Sequence, residues 1–112
     1  MKRMVMALLL LPAVAQAAPA FIDSGYQLHR QQSGKELLLR LQVNEQQVCP
    51  VAAVWFYQRY GQSTLVREQA FARGNAFVVR YQPSAGVHSA ELDVQCQAAK
   101  GQAPKVYRIR VK

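Results

Sequence analysis

The chain has 112 residues, with 14 Lys and Arg against 6 Asp and Glu for a net charge of +8, and two cysteines. That length suits one small domain, and the charge directs attention to acidic partners such as anionic lipid headgroups, lipopolysaccharide or acidic protein segments, or serves solubility alone. Two cysteines without Cys-x-x-Cys spacing and two scattered histidines argue against a redox pair or a zinc site.

The first residues read as a secretory signal. Lys2 and Arg3 make a positive start, Met4 to Leu11 a short apolar core, and Ala15-Gln16-Ala17 a small-residue cleavage site after Pro12. The apolar run falls well short of the roughly 20 residues that span a bilayer, so stable membrane insertion is not expected. Cleavage after Ala17 leaves residues 18–112, a single domain of about 95 residues. Of the net charge of +8, two leave with Lys2 and Arg3, so six remain. An exported chain does not usually meet nucleic acid, and it matures where disulfides form. Cys49 and Cys96 are therefore expected to form a structural bridge.

Short strands follow in succession. Ala20 to Leu28 reads as the first, interrupted by Asp23-Ser24-Gly25, and Gln31-Gln32-Ser33-Gly34 reads as a turn. From Glu36 to Val43 the apolar set Leu37, Leu39, Leu41 and Val43 alternates with Leu38, Arg40 and Gln42, the period of a half-buried strand. Asn44 to Gln47 connects to Val51-Ala52-Ala53-Val54-Trp55-Phe56-Tyr57. That run is apolar at every residue and should be covered on both faces, with Trp55 in the core. Arg59 to Ser63 reads as a turn and Thr64 to Arg67 as a short strand, while Glu68 to Ala72 fits a strand or a helical turn equally. After Arg73-Gly74-Asn75, Phe77, Val79 and Tyr81 should face inward, and Gln82 to Gly86 breaks the chain. Ala90, Leu92, Val94 and Cys96 then alternate with Ser89, Glu91, Asp93 and Gln95. A loop through Lys100 and Pro104 leads to a last strand with Tyr107, Ile109 and Val111 inward and Arg108, Arg110 and Lys112 outward.

About seven short antiparallel strands and no amphipathic helix predict an all-β chain, most economically an immunoglobulin-like β-sandwich. In such a sandwich the third and sixth strands are antiparallel neighbours. The start of the Trp55 strand then meets the end of the Leu92 strand, which brings Cys49 to Cys96 within one sheet.

Catalytic constellations are poor. His88, Ser89 and Asp93 have the residue types of a hydrolase triad, but on one strand His88 faces away from the other two. His29 and His88 read as isolated surface residues, and Glu91 with Asp93 as a solvated face or the partners of nearby arginines. Phe56 belongs to the set opposite Trp55 and would give a small exposed apolar patch. The outward line of Arg108, Arg110 and Lys112 is the most function-like feature, able to meet acidic groups on an extended chain or to guard a sheet edge.

Gln31-Gln32-Ser33-Gly34, then Leu41-Gln42-Val43-Asn44-Glu45 leading to Val48-Cys49-Pro50-Val51, and later Gly61-Gln62-Ser63 carry a resemblance. With the overall length and strand spacing, they resemble the curli assembly proteins of the thin-aggregative-fimbriae type. Those are small periplasmic immunoglobulin-like domains that restrain amyloid formation by curli subunits. The family's Cys-x-Cys pair would need a cysteine where this chain has Gln47, so no redox role carries over. The resemblance implies a non-enzymatic, cofactor-free, monomeric periplasmic protein that binds extended or unfolded fibre subunits and delays their assembly. Arg108, Arg110, Lys112, Arg40 and Arg80 are the contact residues this reading selects. The alternatives are an exported inhibitor or ligand-binding module that docks a folded partner through its loops, and a thiol-redox protein, which requires an unbridged Cys49 or Cys96.

Overall fold

Alternating apolar residues place the strands, and short polar or glycine-bearing turns reverse them. The computed structural model describes residues 19–83 and 89–111, and all its regular structure there is β. In chain order the strands are β1 (Ala20–Phe21), β2 (Tyr26–Ser33), β3 (Glu36–Val43), β4 (Val51–Tyr60), β5 (Ser63–Gln69), β6 (Phe71–Arg73), β7 (Ala76–Tyr81), β8 (Ser89–Cys96) and β9 (Val106–Arg110). They form two sheets, one of five strands ordered β1-β9-β8-β4-β5 and one of four ordered β2-β3-β7-β6.

The expectation of about seven antiparallel strands needs two corrections. Nine strands are present among the described residues, and β1 pairs with β9 in parallel. The first predicted strand is split at Asp23 to Gly25, where Gly25 adopts φ 87°. A Cβ there would sit 2.6 Å from Val48 Cγ2, so glycine alone suits both the backbone and the contact. Glu68 to Ala72 is extended and changes sheets. The chain leaves β5 at Gln69 and enters β6 at Phe71, with the Ala70 amide donating to the Val54 carbonyl at 2.8 Å. Two expected turns are also shorter. β2 runs through Gln31–Ser33 to a turn at Gly34, and β4 continues to Tyr60 before a turn at Gly61.

The two sheets close over one core. Leu39, Leu41, Val79 and Tyr81 come from the four-stranded sheet, while Val54, Phe56, Leu92, Val94 and Ile109 come from the other. Each fully buried large aliphatic or aromatic side chain contributes about 1.5–3 kcal/mol by leaving water. The rings of Phe56 and Tyr81 meet between the sheets at 4.4 Å between centroids.

The phase of β4 is the reverse of expectation. Phe56 is wholly buried and Trp55 lies on the outer face, only partly covered. The ladder sets this: Phe56 pairs with Leu92 and Val54 with Val94, so they share the face that β8 already turns to the core. Gln58 follows them inward, and its amide donates to the Gln82 carbonyl at 3.4 Å.

Burial pushes the Tyr81 hydroxyl above its ordinary value of 10.0, with a smaller opposing pull from the Arg30 charge. A raised folded-state pKa means the neutral ring is favoured in the fold. Its stabilising contribution is complete below pH 10 and is lost as pH rises from there through the folded value. Tyr81→Phe should therefore flatten the loss of stability above pH 10 and keep the ring contact with Phe56. Urea unfolding followed by circular dichroism at stepped alkaline pH would read this. An unchanged slope in the variant would show that the hydroxyl ionises as freely in the fold as out of it.

Candidate functional site

The disulfide takes the place expected for it. Cys49 and Cys96 are bridged with their Cα atoms 5.8 Å apart, and Cys96 pairs with Val51 at the end of the β4–β8 ladder. The bridge ties two neighbours in one sheet. No free cysteine is found among the described residues, so the thiol-redox reading has no thiol to use in this state.

The predicted line of positive charge on β9 is divided by its surroundings. Arg108 faces Asp93 directly across the ladder. Its Nε donates to Asp93 Oδ1 at 2.7 Å and its second nitrogen to Oδ2 at 2.8 Å, a two-pronged charge-assisted pair. Glu91 joins the same network, accepting from Arg59 Nε at 2.8 Å and lying 3.5 Å from Arg108 Nε. The bond to Asp93, above all, holds the Arg108 guanidinium further above its ordinary range, outweighing its own burial. Glu91 and Asp93 are thus ion-paired and buried, although they stand on the outer side of β8. Arg108 is committed inside the molecule, whereas Arg110 is exposed with its guanidinium 4.2 Å above the Phe21 ring. Lys112 lies outside the described residues, as do His88 and the cleavage site after Ala17.

The outer face of the five-stranded sheet is consequently a layer of stacked cations and rings. Arg67 lies 4.0 Å above Trp55 and donates to the Tyr57 hydroxyl at 3.2 Å, and Arg59 covers Tyr57 at 5.2 Å. The expectation that both faces of the Trp55 strand are covered holds, with guanidinium planes supplying the outer cover.

Arg40 and Arg80 stand elsewhere, on the outer face of the four-stranded sheet. The register pairs Arg40 with Val78 and Leu38 with Arg80, which sets two cations and two aliphatic residues in a checkerboard across β3 and β7. Phe71 pairs with Val78 and extends the apolar row to β6, where its ring is 79% exposed. Arg73 follows on the same short strand. These residues line a cleft of about 660 Å³, closed on one side by Glu68 and Gln69 at the end of β5. Arg80 pairs with Glu36 at 3.9 Å, an exposed pair of small energetic value, and Glu68 is the acid among the described residues that line the cleft.

Periodicity selected Arg40 and Arg80 as outward residues, and the register brings them together. Phe71 and Arg73 were missed, because the stretch that carries them had no resolved periodicity. The signal available was an aromatic residue between Ala70 and Ala72, too short a pattern to assign a face. His29 lies on exposed β2 opposite Arg40, as a surface residue. Comparison of the chain with family models, with curated proteins and with solved structures returned no match.

Proposed function

We propose that this chain is an exported, periplasmic, non-enzymatic binding protein that holds extended fibre subunits of the curli type and delays their assembly into amyloid. The observation that carries the reading is the presentation of exposed guanidinium groups on the outer faces of the two sheets. Arg40 and Arg80 project from one sheet and Arg110 from the other, each exposed and each beside an apolar side chain. Such a surface attracts carboxylates over a distance of several ångströms and offers a shallow apolar contact on arrival, which suits transient capture of unfolded chains.

The fold reading that accompanies this is immunoglobulin-like. The order β2-β3-β7-β6 corresponds to strands A-B-E-D of that fold, and β5-β4-β8-β9 to C′-C-F-G. The bridge within one sheet, joining strands in the C and F positions, departs from the antibody pattern. The fibre-subunit class of partner follows from the resemblance at Gln31 to Gly34, Leu41 to Val51 and Gly61 to Ser63.

A thioflavin fluorescence time course of a curli-type subunit tests the reading, with this protein added well below equimolar. A dose-dependent lag is expected, and the triple variant Arg40→Gln, Arg80→Gln, Arg110→Gln should shorten it towards that of the subunit alone. No lag at equimolar protein would remove the holding function.

A further inference from the structure

We infer that the cleft on the four-stranded sheet is a strand-addition site for a short extended peptide that carries a carboxylate and an aliphatic side chain two residues apart. This deepens the reading above and rests on it for the source of the peptide, although the site is argued from the fold alone. The first observation is an interruption in the sheet. β6 pairs with β7 only as far as Phe71 opposite Val78, after which the chain departs through Ala70 to the other sheet. Val79, Arg80 and Tyr81 continue β7, and in the described ladders they pair with Leu39, Leu38 and Leu37 of β3 alone. Their side away from β3 therefore presents strand backbone where a neighbour would sit, in line with β6 and bounded by Glu68 and Gln69.

The second observation is the chemistry around that gap. Arg80 on β7, Arg40 on β3 and Arg73 on β6 surround Leu38, Val78 and Phe71. Side chains on an added strand alternate between faces, so those two residues apart point to the outer face of the sheet. On that face an acid would meet Arg80 or Arg73, and an aliphatic residue would cover the Phe71 ring, which is 79% exposed. A carboxylate also displaces little in reaching Arg80, whose Glu36 contact is long and solvent-exposed. Backbone pairing would supply sequence-independent affinity, and the checkerboard of cations and aliphatics the preference for an acid two residues from an apolar side chain. Cationic segments would be disfavoured by the three arginines, which outnumber Glu68 in the cleft.

The test uses a fluorescein-labelled hexapeptide of sequence Asp-Thr-Val-Thr-Asp-Thr, with Lys-Thr-Val-Thr-Lys-Thr as control, titrated into the oxidised protein. Anisotropy should saturate with the acidic peptide and not with the basic one. In an amide nitrogen–proton spectrum the shifts should concentrate at Phe71, Val79, Arg80 and Tyr81. Arg80→Glu should weaken binding about tenfold, the equivalent of one charge-assisted hydrogen bond. Phe71→Ser, at a residue too exposed to matter for folding, should weaken it as well. Shifts centred on Arg110 and Phe21, or an affinity indifferent to both substitutions, would overturn the site. If the protein delays fibre formation but the acidic peptide leaves the β7 amides unmoved, this inference fails and the holding function stands. If the peptide binds at β7 and no delay is seen, the site stands and the holding function fails.

Discussion

Reduction of the Cys49–Cys96 bridge is expected to lower the free energy of unfolding by about 4 kcal/mol. The bridge spans a sequence separation of 47 residues. On the chain-entropy account the gain comes from the denatured ensemble, which loses the freedom of a loop of that size. A small domain holds only about 5–15 kcal/mol in all, so the reduced protein should be marginal at physiological temperature. Urea unfolding of the native protein with and without a reductant reads this without deleting any atom. The variant Cys49→Ala, Cys96→Ala should lose somewhat more, because Cys96 is buried and its sulfur fills space in the core. A loss under about 1 kcal/mol would show that the reduced chain keeps β4 and β8 together in its denatured state. The same experiment bears on compartment. A domain that depended so heavily on its bridge would suit an oxidising environment.

The strands that could be read in the sequence are those with one apolar face. In β3 and β8 the polar residues between the leucines and valines fix the phase, and the buried sets match: Leu39 and Leu41, then Ala90, Leu92 and Val94. β4 carries apolar residues at Val54, Trp55, Phe56 and Tyr57, so its own sequence leaves the phase open. Pairing with Leu92 and Val94 decides it, and the larger Trp55 goes outward because Arg67 can lie over it. The candidate site was half legible for the same reason. Outward arginines are visible in alternation, but whether a cation is free depends on the strand beside it. Asp93 and Arg108 each read as outward; only adjacency of β8 and β9 makes them one ion pair. The sheet change at Ala70 left no periodic trace because β6 has three residues, and the exposed Phe71 went with it.

Removing the Asp93 carboxylate tests that division of the charged ladder, with an expected cost of about 3 kcal/mol for Asp93→Asn. The Arg108 side chain is 18% exposed and that of Asp93 9%, so neither charge can recover its hydration when the other is lost. Glu91 remains 3.5 Å from Arg108 and keeps the cost from the top of the range for broken buried pairs. Replacing both partners together, Asp93→Leu with Arg108→Leu, should recover most of the loss, since two apolar groups carry no unpaired charge. A double-mutant cycle from urea midpoints would then give a coupling energy of about 2 kcal/mol or more. The functional corollary is sharp. Arg108→Met should alter stability and leave the thioflavin lag unchanged under conditions where the variant is folded, while Arg40→Gln and Arg80→Gln shorten that lag without destabilising the domain. A coupling below about 0.5 kcal/mol would instead class the pair with ordinary surface bridges. Arg108 would then rejoin Arg110 as a cation available to an incoming acidic chain, and the part of the binding surface on the five-stranded sheet would grow.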